Sequence, residues 1–350
     1  MSAFNPLVPS LAMLHVYVQL ALNSLGCNLG ISSSQLIFKS HTTSTHNFCL
    51  SITGTAVTEH SCYPNCSFTT NGNTLYMTAI RDITPGERIS IDYGNNFYHP
   101  TADRVDSLEE SYSFVCVCPM CLGPDRKRSF MCNICSNGTV CPIGRCLEVD
   151  NDSSFSSCQS CGSCASLSYR QACLAKEEQY KKDPLLTMEQ IKQVCGVEKI
   201  LHESHYLIFW ASDDLAMLLA SRARGEGSLS ATAGKSAGDT MIQSRQRYRE
   251  ALTAMSETMR LLELMLPPVH HEKIMYYDRL GQLAVAAGEL EFANFNFMKA
   301  YDMSCLACGV DTPCTVQIKK LITNPPQNLA ELLAHYGQSG GKTCIGIDEN

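Results

Sequence analysis

Residues 60 to 66 read His-Ser-Cys-Tyr-Pro-Asn-Cys. An imidazole, two thiols and an amide lie within seven positions, and a proline stiffens the middle. Such a stretch suits a turn in a core, half of a metal site or the centre of an active site. Its own composition does not choose among these, but the other thiols narrow the choice. Cys116, Cys118 and Cys121 have CxCxxC spacing, and three thiolates that close in sequence can occupy three corners of a zinc tetrahedron. The fourth corner must come from elsewhere, and Cys62, Cys66 and His60 are the candidates. Cys132 with Cys135 and Cys158 with Cys161 form two CxxC pairs, the paired spacing of a zinc ribbon. Gly162 follows the second pair, as in a knuckle turn. Cys141, Cys146 and Cys164 lie nearby and keep the ligand set of this second site open. Buried free thiols are the plainer reading of the first cluster. A redox pair is the alternative for the CxxC units, but no βαβ pattern accompanies them. Cys27 and Cys49 stand singly and read as core.

The chain around these residues has 350 positions, 45% of them apolar and 17% charged. That is a globular balance with room for two or three domains. A formal charge of −7 does not favour generic binding to nucleic acid or anionic lipid. Twenty cysteines would suggest a disulfide framework in a secreted chain. The apolar run at 7–22 has no basic segment before it, however. It is interrupted by Pro9, His15 and Gln19, and it is too short to span a bilayer. The thiols are therefore expected to be mostly reduced. The expected location is the cytoplasm or nucleus, with no membrane partner and no direct nucleic-acid partner.

The elements that must position these groups divide by texture. Residues 1–95 alternate short apolar runs with Ser/Thr/Gly/Asn turns, which predicts a β-rich portion with one early helix. Within it, 74–80 and 88–93 read as strands, with Pro-Gly turn chemistry at 81–87 between them. The cysteines crowd into 96–168, where apolar runs are few, so metal is expected to stand in for a core there. Residues 169–336 read as helices, at least five after residue 170, with a Gly/Ser/Ala loop near 224–239; 337–350 reads as a tail. In the helical part, Leu280, Gly281 and Ala284 precede a Gly288-Glu289 turn, and Ala293, Phe297 and Ala300 follow it. Small residues let two antiparallel helices approach and Phe297 fills the gap, which is the pattern of a tetratricopeptide repeat. An ordinary helical hairpin is the plainer alternative. Either way this part reads as scaffold or as a docking surface for protein partners.

Four segments now line up in one order: EHSCYPNC (59–66), AIRDITPGERISIDYG (79–94), SLEESYSFVCVCPMC (107–121) and the CNIC…CQSCG pair. Together they resemble the C-terminal half of a SET domain with its post-SET zinc motif, as in the SET-MYND (SMYD) methyltransferases. The resemblance covers most of residues 20–335. It implies transfer of a methyl group from S-adenosylmethionine to a lysine side chain of a protein substrate. It also implies that the HSC segment threads beside the Tyr-bearing segment in a crossing that ordinary topology makes rare. By this resemblance Asn23, Glu59, His60, Tyr93 and Phe114 lie at the cofactor. Tyr93 is the catalytic hydroxyl that orients the amine, and Phe114 covers the adenine. Cys62 completes the zinc site of Cys116, Cys118 and Cys121, and Pro64 and Asn65 shape the turn. In-line displacement needs a neutral lysine amine, which a narrow apolar channel favours by desolvation while holding the attack geometry.

This sequence departs from the family pattern at three points. Glu59 stands where the family has Asn, and a carboxylate only accepts hydrogen bonds. Leu25 follows Asn23-Ser24 where Phe is usual. Neither GxG spacing nor a MYND finger is found before residue 59. The expected architecture is α+β: a partial SET domain (1–95), a post-SET zinc motif (96–125), a CxxC zinc module (126–168), a tetratricopeptide-like helical domain (169–336) and a tail. The expected function is an S-adenosylmethionine-dependent protein-lysine N-methyltransferase or the C-terminal part of one, with residues 1–350 alone binding the cofactor poorly. The alternative is a zinc-binding, repeat-containing interaction module without catalysis.

Overall fold

A computed structural model describes residues 35–39, 58–71, 74–93, 98–145, 154–185, 187–194, 200–229 and 237–339. The expected early helix, Asn23, Cys27, Cys49 and Cys146 lie outside the described residues. The chain divides into two compact units. One runs to Tyr93 and includes Ser304–Thr315; the other holds Gly94–Met303 and the chain from Val316 onward.

In the first unit, β-branched and aromatic residues build an antiparallel sheet in the order β1 (Gln35–Lys39), β4 (Thr74–Ala79), β3 (Cys66–Asn71). A separate parallel pair joins β2 (Glu59–His60) to β5 (Ser90–Ile91). This shortens the strand expected at 88–93. Only Ser90–Ile91 is strand, and it pairs with β2 rather than β4. The turn itself is present: Gly86 sits at φ 88° and the Glu87 amide donates to the Thr84 carbonyl at 3.0 Å. It redirects the chain from one sheet to another instead of closing a hairpin. Cys66, Met77 and Ile91 form the small core behind these strands, with Ile83, Ile89 and Tyr93 packed against it. The Ser67 hydroxyl donates to the Ala307 carbonyl, so the 304–315 segment belongs to this unit.

In the second unit, α1 (Thr101–Tyr112) and the short α2 (Pro119–Leu122) precede a hairpin of β6 (Phe130–Met131) and β7 (Thr139–Val140). The helices α3 (Leu167–Lys182), α4 (Met188–Val194), α5 (Tyr206–Leu229), α6 (Ala237–Met265), α7 (Glu272–Ala287), α8 (Leu290–Ala307), α9 (Pro313–Thr323) and α10 (Leu329–Ser339) follow. Seven of them begin after residue 170. Buried alanines at helical spacing on α5 (Ala216, Ala220, Ala223) and α6 (Ala251, Ala254) let those two long helices approach closely. Gly288, at φ 83°, ends α7 by donating to Val285, while the Glu289 amide donates to Ala284. Gly281 faces the Phe297 ring so tightly that a Cβ there would lie 2.4 Å from it. Leu280, Ala284, Ala293, Phe297 and Ala300 are all buried.

The middle segment does not lack a core. Phe130, Cys132, Val140, Phe155 and Cys158 belong to the same buried cluster as Tyr206, Ile208, Leu261 and Leu283. Its few apolar residues suffice because they share the core of the helices. Arg128, buried on the turn before β6, makes a bidentate ion pair with the buried Glu177 of α3, Nη2 to Oε2 being 2.6 Å.

Candidate active site and metal centres

The HSCYPNC segment is fixed by its neighbour β5. Its backbone joins the parallel ladder through Ser61, whose amide donates to the Ile91 carbonyl at 3.0 Å. Asn65 then clamps the far end. Its Nδ2 donates to the Arg88 carbonyl at 2.8 Å and to Glu87 Oε1 at 3.0 Å, and its Oδ1 accepts the Ser90 amide at 2.8 Å. The residue is fully buried and every polar group of its amide is used. The Arg81 guanidinium, together with this amide, holds the Glu87 carboxyl down at about 2.

This bracing sets His60 against Tyr93. The Tyr93 amide donates to His60 Nδ1 at 3.1 Å, and the two rings meet edge to face with centroids 5.4 Å apart. His60 Nε2 lies 3.2 Å from Cys62 Sγ. The Tyr93 hydroxyl donates to the Thr58 carbonyl. Glu59 Oε1 pairs with Arg88 Nη1 at 2.5 Å. Cys62 is half-buried, whereas Cys66 is in the core and burial pushes its thiol up to about 11. Cys66 is thus a packing residue.

In the second unit, Cys118 opens α2 and its carbonyl accepts the Cys121 amide at 2.9 Å, which folds CxCxxC into a single turn. The thiols of Cys116, Cys118 and Cys121 lie within 4.8 Å of one another. The buried Arg104 guanidinium points at this cluster, with Nη2 3.9 Å from Cys121 Sγ. Phe114 is half-buried with its ring centroid 6.4 Å from that of Tyr112.

Cys132, Cys135, Cys158 and Cys161 form the second cluster. The Cys132–Cys161 and Cys135–Cys158 sulfurs are 3.8 and 3.7 Å apart. Zinc–sulfur bonds of about 2.3 Å place tetrahedral sulfurs about 3.8 Å apart, whereas a disulfide needs about 2.05 Å. The donor set therefore fits zinc. Its two halves are built alike. The Ser136 amide donates to the Cys132 carbonyl at 3.0 Å and the Gly162 amide to the Cys158 carbonyl at 2.9 Å. Ser136 at φ 55° and Gly162 at φ 72° both turn left-handed directly after a CxxC. Gly138 leaves room for sulfur, since a Cβ there would lie 2.4 Å from Cys158 Sγ. The exposed Cys164 and the buried Cys141 are outside this cluster.

The family match falls almost wholly on the first unit. Residues 21–94 match the SET domain family. Human N-lysine methyltransferase SMYD2 is 38% identical over 74 residues, 21% of this chain and 17% of that protein. Zebrafish (Danio rerio) N-lysine methyltransferase SMYD2-B is 41% identical over 66 residues, 19% and 15% of the two chains. Human protein-lysine N-trimethyltransferase SMYD5 is 45% identical over 67 residues, 18% and 16%. Residues 21–94 are thus similar to a SET domain, and the chain is similar over a short stretch to SMYD lysine methyltransferases. The matched stretch spans about a sixth of these relatives' length, far less than the 20–335 over which motif resemblance runs. The parallel pair of β2 and β5 lies within the segment that matches the SET domain; His60 ends β2 and Tyr93 follows β5 by two residues. Sequence reasoning missed Ser136, Gly138, Arg104 and Thr58. Only Ser136 had a signal, because it occupies the same place after its CxxC as Gly162.

Proposed function

We propose that this chain acts in S-adenosylmethionine-dependent methylation of protein lysine side chains, contributing the C-terminal part of a SET active site. The parallel pairing that sets His60 against Tyr93, inside a segment matching the SET domain, carries this reading. Bound S-adenosylmethionine would supply an electrophilic methyl group. Glu59 offers a carboxylate acceptor of the kind that an ammonium needs, and Phe114 a half-buried ring of the kind that a purine covers. With Asn23 and the backbone of His60 they form the proposed cofactor set. Tyr93 would orient the neutral lysine amine for in-line attack.

The reading includes two zinc ions. Cys132, Cys135, Cys158 and Cys161 hold one. Cys116, Cys118 and Cys121 hold the other, with Cys62 as fourth ligand. One fact supports Cys62 over Cys66, which is committed to the core. The α7–α8 hairpin would serve as a tetratricopeptide-like surface for protein partners, in the cytoplasm or nucleus.

The test is transfer of a radiolabelled methyl group to protein lysines. Three proteins are compared: this chain, the chain extended by an N-terminal lobe carrying a GxG segment, and the extended Tyr93→Phe variant. Transfer by the extended form that falls about a hundredfold or more in Tyr93→Phe supports the reading. Transfer unaffected by Tyr93→Phe overturns the role of Tyr93. One observation favours a second reading, a non-catalytic zinc and helical module: the Tyr93 hydroxyl is bonded to the Thr58 carbonyl, as a packing tyrosine would be. Calorimetry showing no S-adenosylmethionine binding by the extended form would decide for that module.

A further inference from the structure

We infer that the His60 side chain is a positioning bridge that ties the Cys62 sulfur to the backbone of Tyr93. Its two ring nitrogens face opposite tasks. The Tyr93 amide can only donate, so Nδ1, at 3.1 Å, must present its lone pair. That leaves Nε2 to carry a ring proton. Nε2 lies 3.2 Å from Cys62 Sγ, within reach of an N–H···S bond. The imidazole therefore accepts from Tyr93 on one side and donates to Cys62 on the other. Asp92 Oδ1 is the nearby competitor for Nδ1, but at 3.8 Å it is beyond hydrogen-bond distance. It would also require a proton on Nδ1, which the Tyr93 amide excludes. The His60 side chain is 2% exposed, so water does not compete for either nitrogen. The edge-to-face contact with the Tyr93 ring fixes its plane.

A hydrogen bond to a ligating sulfur orients that ligand and tunes its charge. The bridge has a directional consequence. Whatever draws away or releases Cys62 changes the acceptor of Nε2–H, turns the ring, and moves the Tyr93 amide, hence the hydroxyl on the same residue. The metal consequence rests on the reading of Cys62 as a zinc ligand; the bridge itself rests on the two contacts of His60.

The experiment uses the zinc-loaded chain. Long-range proton–nitrogen NMR correlation, with His60 assigned as the signal lost in His60→Asn, is expected to show a fixed Nε2–H tautomer. The Asn side chain can still accept the Tyr93 amide but cannot reach Cys62. Cys62→Ser is therefore expected to shift the Tyr93 amide resonance in the parent and to leave it unmoved in the His60→Asn background. An Nδ1–H or averaged tautomer in the parent overturns the bridge, whether or not the variants fold. An equal Tyr93 shift in both backgrounds also overturns it. Zinc counting on Cys62→Ser separates the two ideas. Full zinc retention with the tautomer and the coupling intact leaves the bridge standing and removes only the ligand role of Cys62.

Discussion

Ser136 and Gly162 do the same work in their knuckles, yet only one is glycine. A left-handed conformation costs an L side chain about 1–2 kcal/mol, partly offset by the extra unfolded-state freedom of glycine. Ser136→Gly is expected to stabilise the zinc-loaded protein by up to about 1 kcal/mol in chemical denaturation. Gly138→Ala is expected to do the reverse. Its methyl would intrude 2.4 Å from Cys158 Sγ, so elemental analysis should find about one zinc per chain fewer. Unchanged zinc would mean that the sulfur does not sit against Gly138. Lys127 gives a second residue-scale expectation. Its buried ammonium reaches the Met265 carbonyl at the end of α6, where the helix dipole favours a cation. Burial, with Arg104 adding to it, nevertheless pushes the group down from 10.5 to about 7. Between those values the unfolded chain binds a proton that the folded chain does not. Stability should therefore fall as the pH drops from about 10 to 7, by at most about 1.4 kcal/mol per unit. Urea titrations at pH 7, 8 and 9 should show this slope in the parent and a flatter one in Lys127→Met. At this scale the thiols were legible because metal geometry constrains sequence spacing. Ser136 was legible only through its place after a CxxC, because serine itself does not announce a left-handed backbone.

At the scale of elements, the α7–α8 hairpin was readable from Leu280, Gly281 and Phe297 because helix contacts recur every three or four residues within one window. Phe297 is wholly buried against Gly281. Phe297→Ala is expected to cost about 3–5 kcal/mol, measured by denaturation. A cost under about 1 kcal/mol would show that the two helices are not held by this ring. The strand at 74–79 was equally readable from its β-branched and aromatic residues, but its partner was not. Propensity is local, whereas the choice of β1 and β3 over β5 depends on residues far away in sequence. The Pro85-Gly86 turn was recognised as chemistry, but a turn fixes direction and not the sheet that the chain enters next. The segment at 96–168 was read as coreless for a related reason: its apolar residues are few, and the helical residues that complete their packing, from Cys173 onward, lie beyond it.

For the whole molecule, the cysteine clusters make the strongest demand. Two zinc ions per chain are expected, and structural zinc commonly contributes about 10 kcal/mol or more of folding free energy. Chelation should therefore abolish the near-ultraviolet signal of the middle region, and readdition of zinc should restore it. Fewer than one zinc per chain in carefully purified protein would remove this expectation. How the two units work together was legible only as a family resemblance, because no local pattern encodes which distant segments share a site. The pairing of β2 with β5 also governs time. Glu59 meets Ser90 about thirty positions further on, and in a parallel pair no tight turn can bring them together. Loop closure must precede any reward from that contact, so it belongs among the late events of folding. During synthesis, His60 leaves the ribosome well before Tyr93 exists to receive it. Until then Cys62 is an unsheltered thiol, open to premature metal capture or oxidation, and the yield of correctly assembled protein should depend on how quickly β5 and the Tyr93 that follows it arrive.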